Sequence, residues 1–237
     1  MLREPAIPDR SRLWAVLPLK DLPGAKQRLA EVLSAKERLG LSFAMLQDVL
    51  NALAASGGLA GILLVTRDPE ARRLAVRYGA RVLVEDESRG HTAASSLAAR
   101  TLAQERVAGM VQVPADIPLA TPDEIAALLS VHGEAPAVTL APSRDQRGTN
   151  ALVCSPPDVL PLCFGKDSFL PHMHRARTLG IAPRIVERPG LALDIDTPDD
   201  LAAFLAAPSK TRAYAWLAEH GIAARMAHLM PAQSVPP

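Results

Sequence analysis

The chain has 237 residues, of which 49% are hydrophobic, enough for one sizeable folded core. A formal net charge of +1 and an aromatic content of 3% argue against general binding of nucleic acid or of an anionic membrane surface. Charges interrupt the apolar stretches well before the roughly 20 residues that a membrane span needs, so we expect a soluble cytoplasmic protein.

Short apolar runs alternate with helical patterns along most of the chain. The runs that predict strands are Leu13–Leu17, Gly61–Val65, Arg81–Val84, Met110–Val113, Ala137–Ala141 and Ala151–Cys154. Strand–helix alternation of this kind predicts an α/β fold, with a mostly parallel sheet and helices on both faces.

The pattern predicts one domain over residues 13–207, between two segments of different character. Residues 1–12 are charged, lack the apolar core of a signal peptide, and are predicted to be a flexible terminus. Residues 208–237 predict a helical extension followed by a disordered tail. Tyr214, Leu217 and Ile222 are available to pack on the parent domain or on a partner subunit, which leaves a homodimer open.

Capping residues mark the helix boundaries. Ser34 with Glu37 three residues later is the capping-box pattern at the start of a long amphipathic helix. A second helix is predicted between Asp68 and Gly79, and a third from about Thr92.

Three cations follow the first predicted strand. The stretch PLKDLPGAKQRL, residues 18–29, carries Lys20, Lys26 and Arg28 and is stiffened by two prolines. A strand exit in an open α/β sheet is a usual ligand position. The cations therefore indicate an anionic ligand, with phosphate as the leading candidate.

Acidic residues end two later apolar segments, each before a capped helix. Asp116 follows the fourth predicted strand, while Asp194 and Asp196 lie in LALDIDTPDDL. Two residues apart in an extended segment, Asp194 and Asp196 are expected to face the same way. Paired carboxylates repel unless a cation lies between them, and Mg²⁺ takes one or two such ligands plus substrate phosphates. A solvated turn is the structural alternative.

Two further loops can hold a polar or anionic ligand. Thr149 lies between a glycine and an asparagine just before a strand. Gly165 and Ser168 bracket Lys166 near a predicted helix start, where backbone N–H groups can bind phosphate or carboxylate.

Several other features predict no chemistry. His172 and His174 are two apart, so on a helix they face different ways and make a poor metal pair. His91 follows Gly90 and is predicted to lie in a loop. The chain has no G-x-G-x-x-G and no P-loop. No motif therefore supports a dinucleotide-dependent oxidoreductase or a Walker-type NTPase. Cys154 and Cys163 have no metal-ligand spacing and are predicted to be ordinary thiols.

The order of the motifs resembles the guanylyltransferases of coenzyme F420 biosynthesis. That family includes 2-phospho-L-lactate guanylyltransferase and its phosphoenolpyruvate-using relatives. The resemblance runs from about Trp14 to Leu205 and rests on PLKDLPGAKQRL, MLQDVLNAL, VTRDPEARRLA, PADIPL, GTNAL, FGKDSF and LALDIDTPDDL. It implies a Rossmann-like fold of the nucleotide-diphospho-sugar-transferase type, similar to the molybdenum-cofactor guanylyltransferases. It also implies attack of a substrate phosphate on the α-phosphorus of GTP, with release of pyrophosphate.

The resemblance implies residue roles in three groups. The residues implied for the nucleotide are Pro18, Lys20, Lys26, Gly90 and Thr92. Lys20, Lys26, Arg28 and Asp116 are implied to be catalytic, and Mg²⁺ is implied on Asp116, Asp194 and Asp196. The phosphoacid is implied to contact Thr149, Gly165 and Ser168.

Two departures from the family pattern leave the substrates open. His91 and Thr92 stand within a segment that is usually G-L-N-x-A, which leaves the base open. Arg147 replaces a glycine of the usual D-G-G-G-T-N-A-L and adds a cation, so the acceptor is open among phosphoenolpyruvate, 2-phospholactate and 3-phosphoglycerate. Two other hypotheses are a transferase of the same fold with another NTP and a sugar or polyol phosphate, and a non-catalytic nucleotide-binding module.

Overall fold

A computed structural model describes residues 13–19, 22–24, 26–85 and 90–229. The predictions for residues 1–12, for Lys20 and for the C-terminal tail beyond 229 lie outside the described residues. Within the part described, no helix is both long and apolar enough to cross a membrane.

One mixed sheet forms the centre of the described structure. Its strands are β1 (Leu13–Pro18), β2 (Leu59–Val65), β3 (Arg81–Leu83), β4 (Gly109–Gln112), β5 (Ala137–Pro142), β6 (Thr149–Ser155) and β7 (Arg184–Ile185). They lie in the order β3-β2-β1-β4-β6-β5-β7. Only β6 runs antiparallel to its neighbours, β4 and β5, so the prediction of a mostly parallel sheet is confirmed.

Helices cover both faces of this sheet, as predicted. They are α1 (Ala35–Ala55), α2 (Pro69–Arg77), α3 (His91–Gln104), α4 (Pro122–Ser130), α5 (Phe169–Thr178), α6 (Pro189–Ala192), α7 (Pro198–Ala206), α8 (Arg212–Glu219) and α9 (Ile222–Leu229). The capping box of Ser34 and Glu37 is present, and Gly79 adopts the left-handed conformation after α2. The prediction that His91 lies in a loop is wrong, because α3 already begins at that residue.

The side chains of β1 contribute alternately to two core clusters, because successive side chains of a strand point to opposite faces of the sheet. Ala15 and Leu17 face a cluster with α1, α2 and α4, whereas Trp14 and Val16 face a cluster with α3 and α5. Burial on both faces explains why the first strand reads as a continuous apolar run.

The C-terminal helices pack on the rest of the chain through a third cluster between α1, α7, α8 and α9. The Asp48 carboxylate of α1 accepts backbone N–H groups of Arg212 and Ala213, each at 2.8 Å. The expected single helix is divided at Gly221, whose φ of 68° ends α8 before α9 begins. The helical extension therefore packs on the parent domain of its own chain.

Strand order reverses at β1, which pairs with β2 on one side and with β4 on the other. In open α/β sheets, ligands bind beyond the carboxyl ends of the strands at such a reversal. The loops after β1 and β4, which contain Lys26 and Asp116, both lie at this edge.

Candidate active site

A cavity of about 1020 Å³ lies beyond the carboxyl ends of β1 and β4. Arg28, Gly90 and Thr92 border it together with the two predicted phosphoacid loops. The lining residues with a predicted role are Arg28, Gly90, Thr92, Asp116, Thr149, Gly165, Ser168, Asp194 and Asp196. Segments far apart in the sequence are thus brought together around one space.

Lys26 does not border the cavity itself but pairs with two carboxylates that do, Asp116 and Asp196. Its backbone is left-handed, with φ 56° and ψ 41°, and the following 3-10 turn is anchored by the buried Leu29. Its ammonium donates to Asp116 and, at 2.6 Å, to Asp196. Burial alone lowers the pKa of Lys26, but the two carboxylates outweigh it and raise that pKa. Lys26 therefore provides a fixed positive charge.

Asp194 completes an acidic group that one ammonium does not neutralise. Its Oδ1 accepts a hydrogen bond from Asn150 Nδ2 at 3.1 Å. Burial, with Asp116 and Asp196 nearby, raises the pKa of Asp194 to about 6. A backbone hydrogen bond from Ile195 to Asp116 at 3.0 Å joins the two acidic segments. Asp194 is therefore close enough to Asp116 and Asp196 for their charges to act on it.

The donor chemistry of this acidic group fits a divalent cation delivered with a nucleotide. Asp116 Oδ1 is buried and has no hydrogen-bond partner among the described residues. Carboxylate oxygens are hard ligands suited to Mg²⁺, which usually completes its shell with substrate phosphates and water. Across the described ranges, no three His, Cys, Asp or Glu side chains form a ready-made metal cage. The Lys26 ammonium pairs with two members of this group, Asp116 and Asp196.

The predicted phosphoacid loops meet through Thr149 and Ser168. Thr149 N–H donates to Ser168 Oγ at 3.0 Å, and both side chains are almost fully buried. Ser168 precedes α5 without capping it through its side chain. Arg147, expected beside the acceptor, forms a surface ion pair with Asp167 at 2.5 Å and does not border the cavity.

The nucleotide side is built around the start of α3. Gly90 has φ 95°, which favours glycine, and directly precedes that helix. Thr92 Oγ1 donates to the Phe164 carbonyl oxygen at 3.0 Å, so it links α3 to a phosphoacid loop. His91 Nε2 lies 3.1 Å from Gln112 Nε2. Pro18, by contrast, is buried at the end of β1 and does not border the cavity.

Two residues have roles that the sequence did not reveal. Asn150, expected to face a ligand, instead donates to Asp194 and to the Leu191 carbonyl oxygen at 3.0 Å, and so holds the acidic segment. His172 is buried beneath Thr149. The signal for His172 was its helical spacing from the buried Phe169 and Ala176, which places it on the inner face of α5.

Comparison with known proteins connects this site to one family. A family model described as "Guanylyl transferase CofC like" matches residues 13–233. Phosphoenolpyruvate guanylyltransferase of Rubrobacter xylanophilus is 41% identical over 190 residues, which cover 80% of this chain and 92% of the relative.

Two further relatives have other acceptors in their names. 3-phospho-D-glycerate guanylyltransferase of Colwellia psychrerythraea is 36% identical over 81% of this chain and 92% of the relative. 2-phospho-L-lactate guanylyltransferase of Methanothermobacter thermautotrophicus is 32% identical over 86% of this chain and 88% of the relative.

A solved structure supports the fold at low sequence identity. A protein of Desulfovibrio desulfuricans G20, described as a nucleotide-diphospho-sugar transferase, is similar with a TM-score of 0.71 and 17% identity. The match covers 91% of this chain and 98% of that chain. Since the family model matches nearly the whole sequence, the chain belongs to the CofC-like guanylyl transferase family, a family of nucleotidyltransferases.

Proposed function

We propose that this enzyme transfers GMP from GTP to phosphoenolpyruvate or a closely similar phosphorylated carboxylic acid, as a step of coenzyme F420 biosynthesis. The observation that carries the proposal is that one cavity brings the groups of both substrates together. Cationic and acidic side chains line it along with small hydroxyl- and glycine-containing loops. A triphosphate and a small acid would meet there above Asp116.

The reaction needs no nucleophile from the protein, because the acceptor phosphate is already an anion. One of its oxygens forms a bond to the α-phosphorus of GTP, and the bond from that phosphorus to the β-phosphate oxygen breaks. Pyrophosphate leaves with the electron pair. Catalysis then consists of positioning and charge neutralisation.

The cations of the chain would supply much of that neutralisation. Arg28 borders the cavity, and Lys26 is held within reach of it by Asp116 and Asp196. As the triphosphate enters, we expect Lys26 to exchange a carboxylate contact for a phosphate contact. Lys20 belongs to the same cationic loop in the sequence and is proposed for the same task.

Mg²⁺ is proposed as the cofactor, with Asp116, Asp194 and Asp196 as the residues that would hold it. A bound Mg²⁺ would neutralise phosphate charge and align the two substrates. Asn150 would keep Asp194 in place, since its amide already binds that carboxylate. Asp116 Oδ1, which has no hydrogen-bond partner in the described part of the chain, would be one of the ligand atoms.

Thr149, Gly165 and Ser168 are proposed to hold the acceptor. Hydroxyl and backbone N–H donors suit an acid that carries both phosphate and carboxylate, because they add hydrogen bonds without bulk. Lys166 also borders the cavity and would balance the negative charge of the acid. The relative from Rubrobacter xylanophilus makes phosphoenolpyruvate the first candidate among the three acids.

The proposal can be tested by combining each of the four NTPs with each member of a panel of phosphoacids and measuring the release of pyrophosphate. We expect turnover with GTP and phosphoenolpyruvate in the presence of Mg²⁺, and loss of turnover with EDTA. Preference for CTP or UTP with a sugar or polyol phosphate would favour the alternative transferase. No turnover with any pair, despite binding of a nucleotide, would favour the non-catalytic module.

A further inference from the structure

A buried histidine lies directly behind the proposed acceptor site. His172 of α5 is 0% exposed and has contacts on both ring nitrogens. The backbone N–H of Cys163 donates to Nε2 at 3.0 Å. Nδ1 lies 3.0 Å from Thr149 Oγ1.

These two contacts fix the position of the ring proton. A backbone N–H can only donate, so Nε2 of His172 must be an acceptor without a proton. The neutral ring then has its proton on Nδ1, which donates to Thr149 Oγ1. Burial, reinforced by Arg175, lowers the pKa of His172 to about 4, which keeps the ring neutral near pH 7.

The direction of that hydrogen bond determines what Thr149 can offer a ligand. Since its oxygen accepts from His172, its own hydroxyl proton points elsewhere, and Thr149 borders the cavity. Ser168 is in the same situation, because its oxygen accepts the Thr149 backbone N–H. No acceptor for either hydroxyl proton is found among the hydrogen bonds of the described residues.

We propose that His172 is a positioning residue that makes Thr149 an obligatory hydrogen-bond donor to the acceptor phosphoacid. The inference rests on the proposed function, since it assigns Thr149 to that acid. His172 also fixes the loop before α5 through the Cys163 contact and through the edge of the Phe164 ring, whose centroid lies 4.9 Å away. One side chain thus orients the hydroxyl and supports the loop beside it.

A matched pair of variants separates these two tasks. In His172→Asn the amide nitrogen can replace Nδ1 and donate to Thr149, while the contact to Cys163 is lost. In His172→Gln the amide oxygen can replace Nε2 and accept from Cys163, while the donor to Thr149 is lost. Both variants remove an aromatic ring from the same buried place, so their stability losses should be similar.

We expect His172→Gln to raise the KM for the phosphoacid about tenfold, in line with the loss of one oriented hydrogen bond. The KM for GTP should stay within about twofold. His172→Asn should remain closer to wild type for both substrates. Equal effects of the two variants on the phosphoacid KM, or effects that only follow Tm, would overturn the proposal.

A double-mutant cycle and a spectroscopic measurement complete the test. In a Thr149→Val background, His172→Gln should cause no further rise in the phosphoacid KM; a further tenfold rise would contradict the coupling. A long-range ¹H–¹⁵N spectrum of the wild-type protein should show a protonated Nδ1 and an unprotonated Nε2 on His172. A protonated Nε2 would overturn the proposal even if no variant folds. This readout needs no substrate, so it stands apart from any failure to find turnover.

Discussion

At the scale of single residues, Lys26 connects the charge of the site to its chemistry. Its ammonium occupies the space between Asp116 and Asp196. Removing it leaves two partly buried carboxylates without the ammonium that pairs with both of them, which is costly. The same removal deprives an incoming triphosphate of a fixed cation.

Lys26→Met should therefore have two separable effects. We expect kcat/KM for GTP to fall about 100-fold or more, because a preorganised charge is lost. We also expect Mg²⁺ to raise the Tm of the variant more than that of wild type, since a divalent cation can now enter between the carboxylates. Thermal unfolding with and without Mg²⁺ measures this, and an equal Mg²⁺ response in both proteins would count against the metal site.

Asp116→Asn should reduce turnover about 100-fold or more, while the protein still folds. The substitution keeps the shape of the side chain and removes one of three crowded negative charges. Steady-state kinetics at saturating GTP, together with Tm, provide the measurement. Asp123→Asn is the control, because it changes a carboxylate in the first turn of α4 outside the cavity lining. Near-normal turnover of folded Asp116→Asn would remove Asp116 from the catalytic group.

The sequence was sufficient to predict site residues that lie at the ends of strands. It did not reveal the residues that hold those side chains in place. Asp116 and Thr149 flank strands, where chain topology alone gathers them at one edge of the sheet. Asn150 and His172 act through contacts with side chains distant in sequence, and these pairs span 44 and 23 residues. Nor could the sequence show that Lys26 neutralises the proposed metal ligands, because that contact depends on the left-handed turn at Lys26.

At the scale of elements, the contact between α1 and α8 holds the C-terminal helices on the domain. Asp48 accepts the first two N–H groups of α8, which have no partners within that helix. The indole of Trp216 also lies against Gly40, where any Cβ would collide with the ring. These contacts explain why the extension packs on its own chain.

Asp48→Ala should lower the free energy of unfolding by about 1–2 kcal/mol, because two N–H groups at a helix start lose their acceptor. Urea unfolding measures the loss, with the exposed Lys36→Ala on the same helix as the control. GTP kinetics at a temperature well below the transition should be unchanged. A loss no greater than that of Lys36→Ala would show that Asp48 does not stabilise the contact with α8.

Element boundaries were predictable where capping residues or two-sided burial mark them. The Ser34 box and the apolar run of β1 are such cases. β7 could not be predicted, because it has only two residues, both exposed, and depends on pairing with β5. The break between α8 and α9 was not predicted, although Gly221, with φ 68°, lies between the two helices.

At the scale of the whole molecule, acid should weaken the fold through histidines kept neutral inside it. Burial, reinforced by Arg184, lowers the pKa of His132 to about 4. Burial also lowers the pKa of His172 to about 4. An unfolded histidine has a pKa of about 6.5, so the unfolded state binds more protons as pH falls. The stability from these histidines is complete above pH 6.5 and is lost as pH falls towards 4. Asp194 has a pKa raised to about 6, so the folded state binds its proton first and this group favours the folded state as pH falls.

The contribution of His132 can be isolated by a difference in pH dependence. His132 bridges Thr139 and Ser155, and His132→Gln removes its titration while Asp194 titrates in both proteins. We expect the wild type to lose on the order of 1–3 kcal/mol more than His132→Gln between pH 7 and pH 4. Urea unfolding at several pH values measures the two slopes, and parallel slopes would contradict the neutral buried histidine.

The fold class could be predicted from the sequence, because alternating strands and helices are compatible with only a few architectures. Sheet order was not predicted, since the antiparallel insertion of β6 between β4 and β5 depends on tertiary pairing that no local pattern records. That insertion brings Thr149, at the start of β6, to the same edge as Asp116, just after β4. The shared cavity is therefore a property of the assembled sheet.

The most direct measurement is the fate of each phosphate of GTP when the enzyme is incubated with phosphoenolpyruvate and Mg²⁺. With α-labelled GTP, the label should appear in a product that joins GMP to the acid. With γ-labelled GTP, it should appear only in pyrophosphate. Label from the γ-position in the acid, or release of inorganic phosphate and GDP without a GMP-containing product, would contradict transfer of the nucleotidyl group.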